Sequence, residues 1–282
     1  MIRSAVTLSL VSEARGGPFV FWDDLPQAID RAAELGFDAL EVFAPGPDAI
    51  SPAELGRRLR DAGLGLAAIG TGAGWVKHRL TLTDPDPRVR SKACAFVRSM
   101  IEWGAAAGIE AQGAALPAPA IIGSMQGRFG GDVAKESALG WLADALNELA
   151  AGLPETGRLL IEPLNRYETN LLNTLADGSA LLRSLGVSNV RLLADLFHMN
   201  IEEVDSATAL AQAGVDVGHL HFVDSNRRPA GSGHLDLLPI AKAILKMGYD
   251  GYASAEALPW PNPDAAATQT IRLFRRLFPR ET

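Results

Sequence analysis

Residues 158–170 read RLLIEPLNRYETN, and the apolar run Leu159-Leu160-Ile161 walks directly into Glu162. A buried strand that ends on a carboxylate needs a partner for the charge, because an unpaired ion is costly in an apolar interior. A second carboxylate, Glu168, follows on the same stretch. The run is continuously apolar rather than alternating, which is the pattern of a parallel strand covered on both faces.

Seven other runs have strand character: AVTLSLV (5–11), DALEVFA (38–44), LGLAAIG (64–70), APAIIG (118–123), VRLLADL (190–196), VGHLHFVD (217–224) and YASAEAL (252–258). Amphipathic helical patterns fill the gaps. WDDLPQAIDRAAELG (22–36) carries acids at its start and ends on Gly36, a C-cap candidate. SPAELGRRLRDAG (51–63) opens with Ser51 as N-cap and Pro52 at the first helical position. Further helical stretches run near 85–108, 132–151, 174–185, 206–213, 236–247 and 262–278. Eight strand–helix repeats with no linker between them predict an α/β fold. That fold is a single (β/α)8 TIM barrel over residues 1–282, not a doubly wound sheet.

Composition narrows the function. A chain of 282 residues that is 48% hydrophobic suits one barrel core. A net charge of −7 speaks against a nucleic-acid partner, since phosphate binding wants a basic face. The apolar runs are strand-length, so no membrane segment is expected. Met1-Ile2-Arg3-Ser4 leads into a short apolar run without the long apolar region of a secretory signal, and a cytoplasmic location is expected. Cys94 is the single cysteine; it offers no disulfide framework or thiolate cluster and reads as a small core residue.

Functional groups of a barrel belong at the C-terminal ends of its strands. Glu162 ends the fifth run, Asp195 ends the sixth, His221 lies in the seventh and Glu256 ends the eighth. Each alone is weak evidence, because a strand-end acid is commonly a helix cap and a strand histidine commonly a core residue. Together, four consecutive strands bring three carboxylates and one imidazole to one rim. Such a mixed set suits Mn²⁺, Co²⁺, Mg²⁺ or Zn²⁺ and not a thiolate-preferring metal. One divalent metal ion would also answer the desolvation of the carboxylates.

IEPLNRYETN, LADLFHMNIEE, HLHFVDSNR, GSGHLDL and AEALPWP resemble the xylose-isomerase-like TIM-barrel superfamily. More narrowly they resemble its ketose 3-epimerases, which act on tagatose, allulose and ribulose. IGTG (69–72) and IIGSMQGR (121–128) look closest to the 5-keto-L-gluconate epimerase branch. The spacings of 33, 26 and 35 residues between positions 162, 195, 221 and 256 agree with the family pattern. The resemblance implies that Glu162, Asp195, His221 and Glu256 hold the metal, with Mn²⁺ foremost. Glu162 and Glu256 would double as the two acid/base groups, while Glu168, His198 and Arg227 would hold the substrate oxygens. It also implies a small-molecule sugar substrate and a homodimer or homotetramer. The implied reaction inverts C3 of a ketose or keto-acid sugar through a cis-enediolate. The C–H beside a ketone is scarcely acidic, so a Lewis acid and hydrogen bonds must stabilise the charge while two carboxylates act on opposite faces.

Plainer readings stand beside these. Glu168 could pair with Arg166, and His198 could cap a helix. His219 shares a strand face with His221 and reads as a core residue or a support. His234 could line the rim or hold a turn, and His78 reads as solvated loop. Glu202, Glu203 and Asp205 read as a solvated helix start. Gly70, Gly72 and Gly74 read as a flexible rim loop carrying Trp75 over the substrate. Arg128, past the fourth strand, suits a carboxylate or phosphate on the far end of the substrate.

On the same barrel, an aldose–ketose or hydroxypyruvate isomerase, or an inosose or dehydroshikimate dehydratase, is the nearest alternative. An endonuclease-IV-like phosphodiesterase would need more than the five histidines present. A non-enzymatic sugar-binding barrel would be marked by the loss of a ligand or base, and none is lost.

Overall fold

The computed structural model describes residues 1–113, 116–154 and 156–279. Among them, the strands are β1 (Arg3–Ser9), β2 (Phe21–Trp22), β3 (Ala39–Phe43), β4 (Gly65–Gly70), β5 (Ala120–Ile122), β6 (Leu159–Ile161), β7 (Val190–Asp195), β8 (Val217–His221) and β9 (Tyr252–Ala255). The order β1-β3-β4-β5-β6-β7-β8-β9 is parallel throughout, and β9 pairs back onto β1 to close the barrel. The eight barrel strands match the eight expected runs. The two-residue β2 is an addition that flanks β1. β6 is shorter than its run because Pro163 has no N–H to extend the ladder, although Glu162 N still donates to Ile122 O at 3.0 Å.

Ten helices accompany the strands among the described residues. They are α1 (Leu25–Leu35), α2 (Pro52–Asp61), α3 (Ala73–His78), α4 (Pro87–Gln112), α5 (Lys135–Ala151), α6 (Leu175–Ser184), α7 (Leu196–Glu202), α8 (Ser206–Ala213), α9 (Leu237–Lys246) and α10 (Pro263–Leu277). Their starts follow capping chemistry. Ser51 accepts from Glu54 N, Thr174 and Asp177 form a reciprocal capping box, and Asn262 accepts from Ala265 N. Gly36 closes α1 in the left-handed region, at φ 77°.

Two helices depart from the sequence reading. The segment expected as a flexible glycine loop contains α3. Gly74 there is closely packed rather than part of an open loop, since a Cβ at this position would lie 2.5 Å from Met125 Sδ. His78 accordingly ends a helix, exposed, with its ring 6.0 Å from that of Phe96. The second is α7, which begins directly at the end of β7 and carries His198. The acids after it are not one solvated helix start: Glu202 closes α7 and Glu203 follows it, while Asp205 caps α8.

The strands bury both faces. Leu8, Leu40, Leu66 and Ile122 belong to the main core, whereas Ala68, Ile121, Leu160 and Leu193 form a separate apolar cluster. Leu160 and Leu193 share strand faces with Glu162 and Asp195, so this cluster is the floor beneath the carboxylates. Cys94 is half-buried on α4. No helix among the described residues is long and apolar enough to cross a membrane.

Leu40 is fully buried in β3, so Leu40→Ala is expected to cost about 2–5 kcal/mol in chemical denaturation. The exposed Val204→Ala is expected to stay within about 0.5 kcal/mol of wild type.

Candidate active site

Parallel register brings the rim residues together. Asp195 pairs with His221 across β7 and β8, and His221 pairs with Ser254 across β8 and β9. Glu162 follows β6 directly and Glu256 follows β9 directly. The four side chains therefore meet, each offering a ligand atom within 4.8 Å of the others. His221 Nδ1 lies 2.9 Å from Asp195 Oδ2, 3.3 Å from Glu256 Oε2 and 3.5 Å from Glu162 Oε1. Glu162, Asp195 and His221 are all buried.

Arg227 reaches the same point from the turn after β8. Its guanidinium pairs with both Asp195 and Glu256 and lies over the Phe197 ring. The turn is held by buried Asp224, which accepts from the backbone N–H groups of Ser225, Gly231 and Leu235. Arg227 itself takes a left-handed backbone, at φ 60°. His234 donates its backbone N–H to Ser225 Oγ and so joins this turn.

His198, on α7, accepts a hydrogen bond at Nδ1 from Asn165 N at 3.2 Å. An acceptor Nδ1 leaves the proton of the neutral ring on Nε2, which lies 3.8 Å from Glu162 Oε1. His198 thus presents a donor to the site. Asn165 also donates to Glu168 Oε1 at 3.0 Å and so ties Glu168 to His198. Arg166 does not pair with Glu168. It grips Glu202 with two guanidinium bonds and its own backbone N–H. Glu202, read from sequence as solvated, has its side chain largely covered beneath that pair, while Glu203 accepts from Leu175 N.

These groups open onto a cavity of about 510 Å³ lined by Glu162, Glu168, His198, His221, Arg227 and Glu256. Its far side is aromatic: Phe19 stacks on Phe43 at 4.8 Å, and Trp75 stands on α3 at the mouth. Arg128 also lines the cavity, exposed and without an ion-pair partner among the described residues.

The carboxylates are not equivalent. Burial raises the Glu162 carboxyl above its ordinary value, and the Glu256 charge adds to the effect against the pull of His221. Burial would raise Asp195 too, but Arg227, His198 and His221 hold it well below the ordinary range. One acid is therefore biased toward taking a proton and its neighbour toward staying ionised. His221 would be lowered by burial, yet the surrounding carboxylates carry it well above its ordinary value.

This arrangement fits a divalent cation. Three carboxylates face one guanidinium, which leaves two formal negative charges in a buried site when His221 is neutral. Glu162 Oε1 is a buried oxygen without a hydrogen-bond partner, as a ligand atom would be. Three oxygens and one nitrogen form a hard, borderline donor set. Sequence reading missed a second cluster, Glu41, His219 and His221. Glu41 is buried on β3, and its two oxygens are already engaged by His219 Nε2 at 2.7 Å and His221 Nε2 at 3.1 Å. The signal for Glu41 was present in ALEVF, a charge inside an apolar run; Asn165 gave no comparable signal.

Residues 29–277 match the family model described as xylose isomerase-like TIM barrel. The chain belongs to that family. It is 32% identical over 254 residues to the D-psicose 3-epimerase of Agrobacterium fabrum, covering 88% of this chain and 84% of the relative. It is 29% identical over 263 residues to the L-ribulose 3-epimerase of Mesorhizobium japonicum, covering 90% and 82%. The D-allulose 3-epimerase of a Methylomonas species has the same fold, with a TM-score of 0.81 at 21% identity over 98% of each chain. Among xylose isomerase-like barrels, the chain thus stands with sugar epimerases, enzymes of the isomerase class.

Gly123 follows β5 at the closest approach to Glu162, where a Cβ would lie 2.6 Å from Oε2. Gly123→Ala should displace that carboxylate while leaving the barrel folded. The expected outcome is a loss of about tenfold or more in Mn²⁺ affinity by calorimetry, with an unchanged circular dichroism spectrum.

Proposed function

We propose that the protein is a divalent-metal-dependent epimerase inverting C3 of a ketose or keto-acid sugar. The observation that carries this reading is the pair Glu162 and Glu256. They come from non-neighbouring strands, both face the cavity, and both approach His221 Nδ1. Two carboxylates converging on one bound carbon allow a proton to leave one face and another to arrive on the opposite face, which inversion requires.

Glu162, Asp195, His221 and Glu256 are assigned as the residues that hold the metal. A divalent ion held there would supply Lewis acidity for the charge that develops on the substrate. Glu162, with its raised pKa, exchanges a proton at C3, and Glu256 serves the opposite face. The Nε2–H of His198 and the guanidinium of Arg227 donate to the oxygen on which charge develops. Glu168, tied to Asn165 and half-exposed at the rim, accepts from a substrate hydroxyl. Arg128 takes the far end of the substrate, where an uncommitted cation suits a carboxylate.

Proton NMR in D₂O over ketopentoses, ketohexoses and keto-uronates, with Mn²⁺ supplied, tests the reaction. The expected outcome is deuterium at C3 with the carbon skeleton and oxidation level preserved. Exchange at C1 would instead indicate an isomerase, and loss of water a dehydratase. Glu162→Gln and Glu256→Gln are each expected to lower turnover by at least about 10²–10⁴-fold; appreciable activity in either would contradict the two-base scheme. Arg128→Leu is expected to lower activity on acidic sugars more than on neutral ones, and equal relative activities would refute its role.

A further inference from the structure

Beneath the rim, Glu41 joins two histidines that lie on one face of β8. His219 Nε2 is 2.7 Å from Glu41 Oε2 and His221 Nε2 is 3.1 Å from Glu41 Oε1, while the two imidazoles meet edge to face at 5.8 Å. All three residues are buried. Each Glu41 oxygen thus faces one imidazole nitrogen, the arrangement of a carboxylate that accepts from both rings. An ionised carboxylate only accepts, so both imidazoles must direct an Nε2–H toward it.

For His221 this decides the other nitrogen. With the proton of its neutral form fixed on Nε2, Nδ1 carries the lone pair, and Nδ1 is the atom that faces Asp195, Glu162 and Glu256. We propose that Glu41 is a positioning residue that locks His221 in the Nε2–H tautomer, with Nδ1 aimed at the metal, and that His219 in turn anchors Glu41. The inference rests on the metal-site reading above and deepens it. Glu41 borders the same cavity, but both of its oxygens are turned to the imidazoles, so it acts through His221. A carboxylate on the far nitrogen also makes the ligating nitrogen more basic, and losing such a partner typically costs 10–100-fold in metal affinity. The competing use of the cluster, as a second metal site, would have to break both hydrogen bonds.

The test has two measurements. In ¹⁵N-labelled wild-type protein loaded with Zn²⁺, two-bond ¹⁵N–¹H correlations should show His221 protonated on Nε2 and metal-bound at Nδ1. A His221 bound through Nε2 overturns the proposal, and this measurement needs no variant to fold. In Glu41→Gln, the amide cannot accept from both imidazoles. Zn²⁺ affinity by chelator competition should fall about 10–100-fold, with Glu41→Asp falling less. A folded Glu41→Gln that binds Zn²⁺ as tightly as wild type overturns the proposal while leaving the metal site standing. Wild-type protein that binds no Zn²⁺ overturns instead the metal reading on which the proposal rests.

Discussion

The site is organised around a buried cluster of carboxylates whose charge must be balanced by protons or by a cation. Three carboxylates converge on His221 Nδ1 from the ends of β6, β7 and β9, and among the described residues Arg227 is the guanidinium that pairs with two of them. Burial makes any imbalance expensive, because the low-dielectric interior strengthens repulsion as readily as attraction. A divalent cation resolves it with donors already in place. The cost of assembling such a cluster falls on the rest of the barrel, whose closed parallel ladder and apolar floor hold the strand ends at fixed separations.

The supporting parts act through backbone as much as through side chains. Asp195 is both a candidate ligand and the cap of α7, accepting from Phe197 N at 2.7 Å. That double duty places His198 one turn into the helix, where Asn165 fixes its ring. Arg166 and Glu202 then brace the loop after β6 against the end of α7. Asp224 does the same for the turn that presents Arg227. Catalytic geometry of this kind depends on such second supports, because an error near 1 Å in a reacting group costs rate heavily.

Much of this was legible in the sequence for a simple physical reason. A polar residue at the end of one apolar strand run can be a mere helix cap, but Glu162, Asp195, His221 and Glu256 stood out because they fell on four consecutive runs. Glu41 carried the same mark but lay within its run rather than at the end, and nothing local said that two histidines from β8 would meet it. The short helices α3 and α7 were missed because one is glycine-rich and the other begins without a loop. Their stability comes from Met125 packing on Gly74 and from the Asp195 cap, which are tertiary and strand-end effects. Glu202 misled for a similar reason: its partner Arg166 is distant in sequence.

The central claim is that the strand-end quartet, and not the Glu41 cluster below it, holds one divalent ion. Anomalous diffraction from crystals of the full chain soaked in Mn²⁺ reads this directly. A single strong peak in bonding contact with Glu162, Asp195, His221 Nδ1 and Glu256 is expected. A peak bound between Glu41 and His219, or none at the quartet at saturating Mn²⁺, would contradict it.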